Sequence, residues 1–161
     1  MASQDAASRQ LRASKSKLKK LKAIARKASA NAIGCEPDEV DDVLEDGSFI
    51  VPKYSTLVYV LAEIEPEQFS LEATILKNPE DDAAAEALIR YVNDSIELGT
   101  MHLQDNRVMY RHTIKAQGIS ADDLASVVQS FARTADLLDE RFQSRLGGTT
   151  LFDRAHDEVW I

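Results

Sequence analysis

Between Asn78 and Gly148 the spacing of apolar positions changes twice, from helical to alternating and back. Ala85, Leu88, Ile89, Val92 and Ile96 recur at helical steps and predict a helix with one apolar face. Asn78 is expected to cap it, Pro79 to take its first position, and Gly99 to end it in a left-handed conformation. Thr100 to Asp105 and Arg107 to Lys115 then alternate about Asp105-Asn106, a pair suited to a tight hairpin turn. In that register Leu103 pairs with Val108 and Met101 with Tyr110. One face then carries Met101, Leu103, Val108, Tyr110, His112 and Ile114, and the other His102, Gln104, Arg107, Met109 and Arg111. A further helix starts at Ser120, an N-cap with Asp123 three residues on. Leu124, Val127, Val128, Phe131, Ala135, Leu138 and Phe142 form its apolar stripe, and Gly147-Gly148 stops it.

Upstream the alternation is that of strands. Ser48 to Tyr54 reads as a short strand that Pro52 assigns to a sheet edge or a bulge. Leu57 to Ile64 is rich in β-branched and aromatic residues, Glu65-Pro66-Glu67-Gln68 is its turn, and Phe69, Leu71, Ala73 and Ile75 mark a third strand. Before these, Gly34 to Gly47 carries seven carboxylates between Glu36 and Asp46. Val40, Val43 and Leu44 fit a short helix there, whereas Asp46-Gly47 fits a turn into the strand, and periodicity alone leaves both open. A fraying start over residues 1–8 is expected, followed by a long helix from Arg9 to Ile33 with Leu11, Ser14, Leu18, Leu21, Ala25, Ala28 and Ala32 on one seam.

Charge divides the chain. Residues 1–33 hold nine Lys and Arg against Asp5 alone, a local charge of +8, while the remainder carries −16, for a net −8. An acidic body of this kind repels nucleic acid, yet the basic helix could lie on its own domain, pair with a second copy, or meet phosphates or an anionic membrane. The organisation expected is a basic N-terminal helix (1–33), an acidic connector (34–47), a folded domain (48–148) and an apolar C-terminal tail (149–161) with Leu151, Phe152, Val159, Trp160 and Ile161. The fold class is α+β, in the order α-β-β-β-α-β-β-α, with an antiparallel sheet packed against helices.

Candidate chemistry is sparse. The three histidines do not converge, since His102 and His112 lie on opposite hairpin faces and His156 is in the tail. Cys35 has no basic neighbour to activate its thiol, and no phosphate-cradling glycine loop or zinc-protease helix occurs. The reading is therefore non-enzymatic, with no cofactor and no metal. One cysteine, no apolar run of about 18 residues and a start without the apolar core of a secretory signal lead to the expectation of a cytoplasmic protein.

The run Leu88-Ile89-Arg90-Tyr91-Val92-Asn93-Asp94, the hairpin from Met101 to Arg111 and the Gly118-Ile119-Ser120 start of the last helix resemble the YbjN-like family. That family looks like a branch of the type III secretion chaperone fold, and the likeness covers about residues 48–146. The resemblance implies an α+β sandwich, frequent dimerisation and binding to segments of other proteins. A chaperone or adaptor that binds a client protein is thus expected, with Tyr59, Leu61 and Ile64 as sheet contacts and Phe152, Trp160 and Ile161 as tail anchors. The alternative is a scaffold held by its basic helix to an anionic surface, lipid or nucleic acid.

Overall fold

The structure, a computed structural model, describes residues 2–43 and 45–152. Helix α1 spans Ala2–Ile33 and is followed by a single helical turn, Pro37–Glu39. Strands β1 (Phe49–Lys53), β2 (Thr56–Ile64) and β3 (Glu67–Lys77) precede α2 (Asp82–Asn93). The hairpin β4 (Thr100–Gln104) and β5 (Arg107–Lys115) leads into α3 (Ala121–Leu146). This is the element order expected from the sequence. The five strands pair antiparallel in the order β1-β2-β3-β5-β4, so β1 and β4 are the edges and Pro52 sits on an edge strand, where a missing N–H is tolerated.

The period of two in the strands sends one set of side chains to the helices. Val51, Val58, Val60, Phe69, Leu71, Val108 and Tyr110 are fully buried there. The hairpin has the expected register, Leu103 opposite Val108 and Met101 opposite Tyr110, around Asp105 and Asn106 with φ of 50° and 59°. Both values suit the turn that matches the right-handed twist of its strands. Between Thr74 and Leu76 the β3–β5 register slips, which lets Ile75 and Leu76 both enter the core. Tyr110 stacks on Phe131 of α3, with centroids 4.1 Å apart, and its hydroxyl donates to the Leu98 carbonyl at 2.5 Å.

Helix α3 keeps the predicted capping box, the Ser120 hydroxyl accepting from the Asp123 N–H at 3.1 Å, and it ends at Gly147 with φ 65°. Helix α1 packs against β1, β2 and α3, and small residues set how closely it can approach, since Ala25, Ala28 and Ser29 have no exposed surface. Its N-terminal part stands clear. Helical structure begins at Ala2, not near Arg9, and Leu11 is 58 % exposed, so the seam is covered only from Leu18 onward.

Two boundary expectations need correction. Asn78 does not cap α2. It adopts a left-handed backbone (φ 53°), its N–H donates to the Asn106 carbonyl at 2.9 Å, and its side chain accepts from Asn106 Nδ2 at 3.0 Å. It is occupied in tying β3 to the hairpin turn, and the cap passes to Asp81, which accepts from the Ala83 and Ala84 amides at 2.9 and 3.2 Å. Nor does Gly99 end α2, which stops at Asn93 and leaves Ile96 in the loop. Gly99 (φ 76°) lies instead where a Cβ would come within 2.6 Å of the Arg111 carbonyl oxygen, so glycine is required for the chain to turn into β4. In the connector the turn prevails over the helix: Asp46 and Gly47 lead into β1, and Asp46 accepts from the Ser48 amide and hydroxyl at 2.9 and 2.7 Å.

Candidate functional site

Alternate residues of the same strands form the other face of the sheet, and among the described residues no helix covers it. Its composition changes across the strands. The β1–β2 side is apolar, with Ile50, Leu57, Tyr59 and Leu61. The middle strand, β3, contributes the short polar Ser70 and Thr74 beside Glu72. On the far side β5 presents Arg107, Met109, Arg111 and Lys115. Over the centre lies an open groove of about 320 Å³, lined by Tyr59, Leu61, Thr74 and Met109, by Val43 of the connector and by Ser48 just before β1.

The charges around this groove are not equivalent. Glu63 accepts from the Ser70 hydroxyl and from Gln68 Nε2, and the Ser48 amide and hydroxyl hold the Asp46 carboxyl below its usual range. Lys17–Glu67 is the only ion pair among the described residues, so Arg107 and Arg111 are free of one. Glu72 is the cross-strand neighbour of Arg111.

Both sheet edges are partly occupied. At β1 the Ile50 N–H donates to the Asp41 carbonyl at 2.9 Å and the Val43 N–H to the Ser48 carbonyl at 2.8 Å, so the connector pairs with the outer edge. Further along, Pro52 has no N–H to offer. At β4 the Asn93 side chain does the same work. Its Oδ1 accepts from the Met101 N–H at 2.7 Å and its Nδ2 donates to the Met101 carbonyl at 2.9 Å, as a neighbouring strand would.

The sequence-derived contact residues separate on this geometry. Tyr59 and Leu61 come together in the groove, whereas Ile64 follows the parity of Val58, Val60 and Ala62 and lies on the helix side. Phe152 is 47 % exposed beyond the Lys77–Thr149 bridge, and Trp160 and Ile161 lie outside the described residues. Met109, Arg107 and Arg111 were not singled out from sequence, although their shared parity in the hairpin already placed them on one face.

A second polar cluster ties the β1–β2 turn to α3. The Ser55 hydroxyl meets the carboxylates of Asp136 and Asp139, the latter at 2.5 Å, and the Ser55 N–H donates to Asp136 at 3.1 Å. Asp139 is only 5 % exposed, and burial pushes its carboxyl above the usual range, with Asp136 and Glu140 adding to the rise. One hydroxyl proton cannot serve two carboxylates at once, and the burial of Asp139 favours the protonated form of its carboxyl. The sequence signal was Asp139 falling within the α3 stripe, four residues after Ala135 and three before Phe142.

Among the described residues no nucleophile, base and oxyanion donor come together. Burial and then Glu39, Glu36 and Asp38 raise the Cys35 thiol, which disfavours the thiolate, and burial lowers the half-buried His112. Among the described residues no group of His, Cys, Asp and Glu could hold a metal ion, and no helix is long and apolar enough to cross a membrane.

Comparison with known proteins places this architecture. Residues 19–154 match the family model TY-Chap1, described as type III secretion (YopN, CesT) and YbjN peptide-binding chaperone 1. No curated protein matches the chain. Among solved structures, the ExsC–ExsE complex superposes with a TM-score of 0.60 at 15 % identity, covering 76 % of this chain and 93 % of that one. The Yersinia pestis type III secretion chaperone SycH, solved with a stable fragment of YscM2, gives 0.52 at 18 %, covering 73 % and 98 %. YbjN from E. coli, described as a putative transcription regulator, gives 0.54 at 12 %, covering 73 % and 89 %.

Proposed function

This chain belongs to the TY-Chap1 family, and from that premise we propose that it is a non-enzymatic chaperone or adaptor whose open sheet face binds a segment of a partner protein. The observation that carries this is the uncovered groove of Tyr59, Leu61 and Met109, in a family described by peptide binding. Apolar side chains at the floor of a shallow groove, flanked by charges, give a partner segment both contact area and register. Tyr59 and Leu61 are the contacts, and Phe152 with Trp160 and Ile161 forms a secondary anchor at the C-terminal tail. The working location is the cytoplasm. A homodimer is the proposed assembly, supported by Tyr91, 68 % exposed on α2 beside Leu88.

The test is Leu61→Glu, which puts a charge on the groove floor without entering the core. Partner segments should bind this variant at least about 30-fold more weakly, the size of a central interface contact, while its melting temperature stays put. Unchanged affinity would remove the open face from the function.

A second reading attaches to the exposed half of α1, where Arg9, Arg12 and Lys15 have no partner among the described residues. It holds that this arm, about 24 Å over residues 2–17, fixes the protein to an anionic surface, lipid or nucleic acid. Deleting residues 2–17 should then abolish binding to anionic vesicles or DNA, and binding by the full chain should fall steeply with salt. Salt-insensitive binding would dismiss it.

A further inference from the structure

A line of like charge runs along α1, on the helix side of the sheet. Arg12, Lys15, Lys19, Lys22 and Arg26 follow one another at alternating steps of three and four, which stacks them along one side of the helix. From Arg12 to Arg26 the line is about 21 Å long, with a cation about every 5 Å. Among the described residues none of the five belongs to an ion pair.

The C-terminal end of this line is built into the domain. Lys19, Lys22 and Arg26 line a hollow of about 300 Å³ against Asp42, Gly47 and Phe49. Arg26 is held from two sides: its guanidinium lies 4.8 Å over the Phe49 ring, and it donates to the Pro37 carbonyl at 3.2 Å. That bond uses only part of its five-donor fork. Gly47, with φ 73°, brings bare backbone up to the Lys22 ammonium, since a Cβ there would lie 3.1 Å from Lys22 Nζ. Of the connector's seven carboxylates only Asp42 lines the hollow, and Asp46 is engaged with Ser48. Three cations against one carboxylate favour an anion here.

Toward the N-terminus the line leaves the domain and continues through Lys15 and Arg12, both exposed. A single small anion would fill the hollow and leave these two unused, whereas a linear polyanion meets all five. A bilayer fits less well: a helix lying on lipid buries an apolar side, and residues 2–17 offer Leu11 as their one large apolar side chain. A duplex would bring a second strand over a body whose charge beyond residue 33 is −16. A single strand can follow a straight row with its phosphates alone. We infer that Arg12, Lys15, Lys19, Lys22 and Arg26 form a track for the phosphate backbone of a single-stranded nucleic acid. No aromatic side chain belongs to the row to stack a base, so the track grips without reading sequence. This rests on the reading of α1 as an anion-binding arm and carries its surface into the hollow beside the connector.

Fluorescence anisotropy of a labelled oligothymidylate of about 20 nucleotides, titrated with the full-length protein, reads this directly. Five phosphate contacts on a single strand predict a log–log salt slope of roughly −3.5, a fall of about 100-fold in affinity between about 50 and 200 mM salt. Lys19→Ala/Lys22→Ala should weaken binding about tenfold or more and bring the slope to roughly −2. Lys20→Ala/Lys27→Ala removes the same charge from positions about 100° further round the helix and should cost less than about threefold. Circular dichroism checks that both variants keep the wild-type fold. A matched duplex and anionic vesicles complete the set. Equal effects in the two variants would overturn the row and leave a helix that binds anions by its overall charge. Tighter binding to the duplex, or binding to the vesicles without the oligonucleotide, would overturn the single strand while the arm keeps its anionic surface. No binding to any of the three would remove the inference and the arm reading together.

Discussion

Replacing Asn93 by Ala removes a side chain that stands in for a neighbouring strand. Two hydrogen bonds, 2.7 Å from the Met101 N–H and 2.9 Å to its carbonyl, are lost from a half-buried position next to the fully stacked Tyr110–Phe131 pair. Each such bond contributes about 1 kcal/mol net, and a backbone group left without water costs about 1–3 kcal/mol, so the total falls at about 1–3 kcal/mol. For a chain of this length that corresponds to a fall in melting temperature of roughly 3–10 °C. Asn93→Asp separates the two bonds: it keeps an acceptor for the Met101 N–H but sets a carboxylate against the Met101 carbonyl, and it should melt below the wild type at pH 7 and recover part of the loss in acid. Thermal unfolding followed by circular dichroism reads both variants, and light scattering reads association through the uncovered edge. A melting temperature within about 1 °C of wild type for Asn93→Ala would refute the assignment of Asn93 as the closure of this edge.

The remaining predictions concern the α3 cluster and the assembly. Burial raises the Asp139 carboxyl in the folded state, so the stability linked to its protonated form is complete below its unfolded value and is lost as pH rises through the folded one. Asn at this position remains neutral, so Asp139→Asn should gain in melting temperature over wild type as pH rises from 4 to 7, and a pH-independent difference would contradict the upward shift of this carboxyl. Light scattering should give twice the chain mass for wild type and the single-chain mass for Tyr91→Asp; a wild-type monomer would dismiss the proposed dimer.

Where one element has one strong local pattern, the sequence was enough. The α3 stripe with its Ser120–Asp123 box and the Asp105-Asn106 hairpin needed no tertiary information, because capping and turn geometry act within a few residues. Asn78 and Gly99 were misplaced because their roles are set by distant groups, Asn106 for one and the Arg111 carbonyl for the other. The groove was half legible. Strand parity put Tyr59 and Leu61 on one face and Met109 with both arginines on another, but only the strand order, which places β3 between β2 and β5, shows that these faces are continuous. Parity read along β2 would also have separated Ile64 from Tyr59 and Leu61. Asn93 as an edge closure had no sequence signal, since it lies on the last turn of a helix and acts on a strand that follows it by several residues.

Whether the open sheet face is where a partner segment binds is read by chemical-shift mapping during titration with a bound peptide. The amide and methyl signals that move on titration should cluster at Tyr59, Leu61, Thr74 and Met109, with the helix-side Val58 and Val60 little affected. Shifts confined to α2, to the exposed half of α1 or to the β4 edge at Met101 would contradict it.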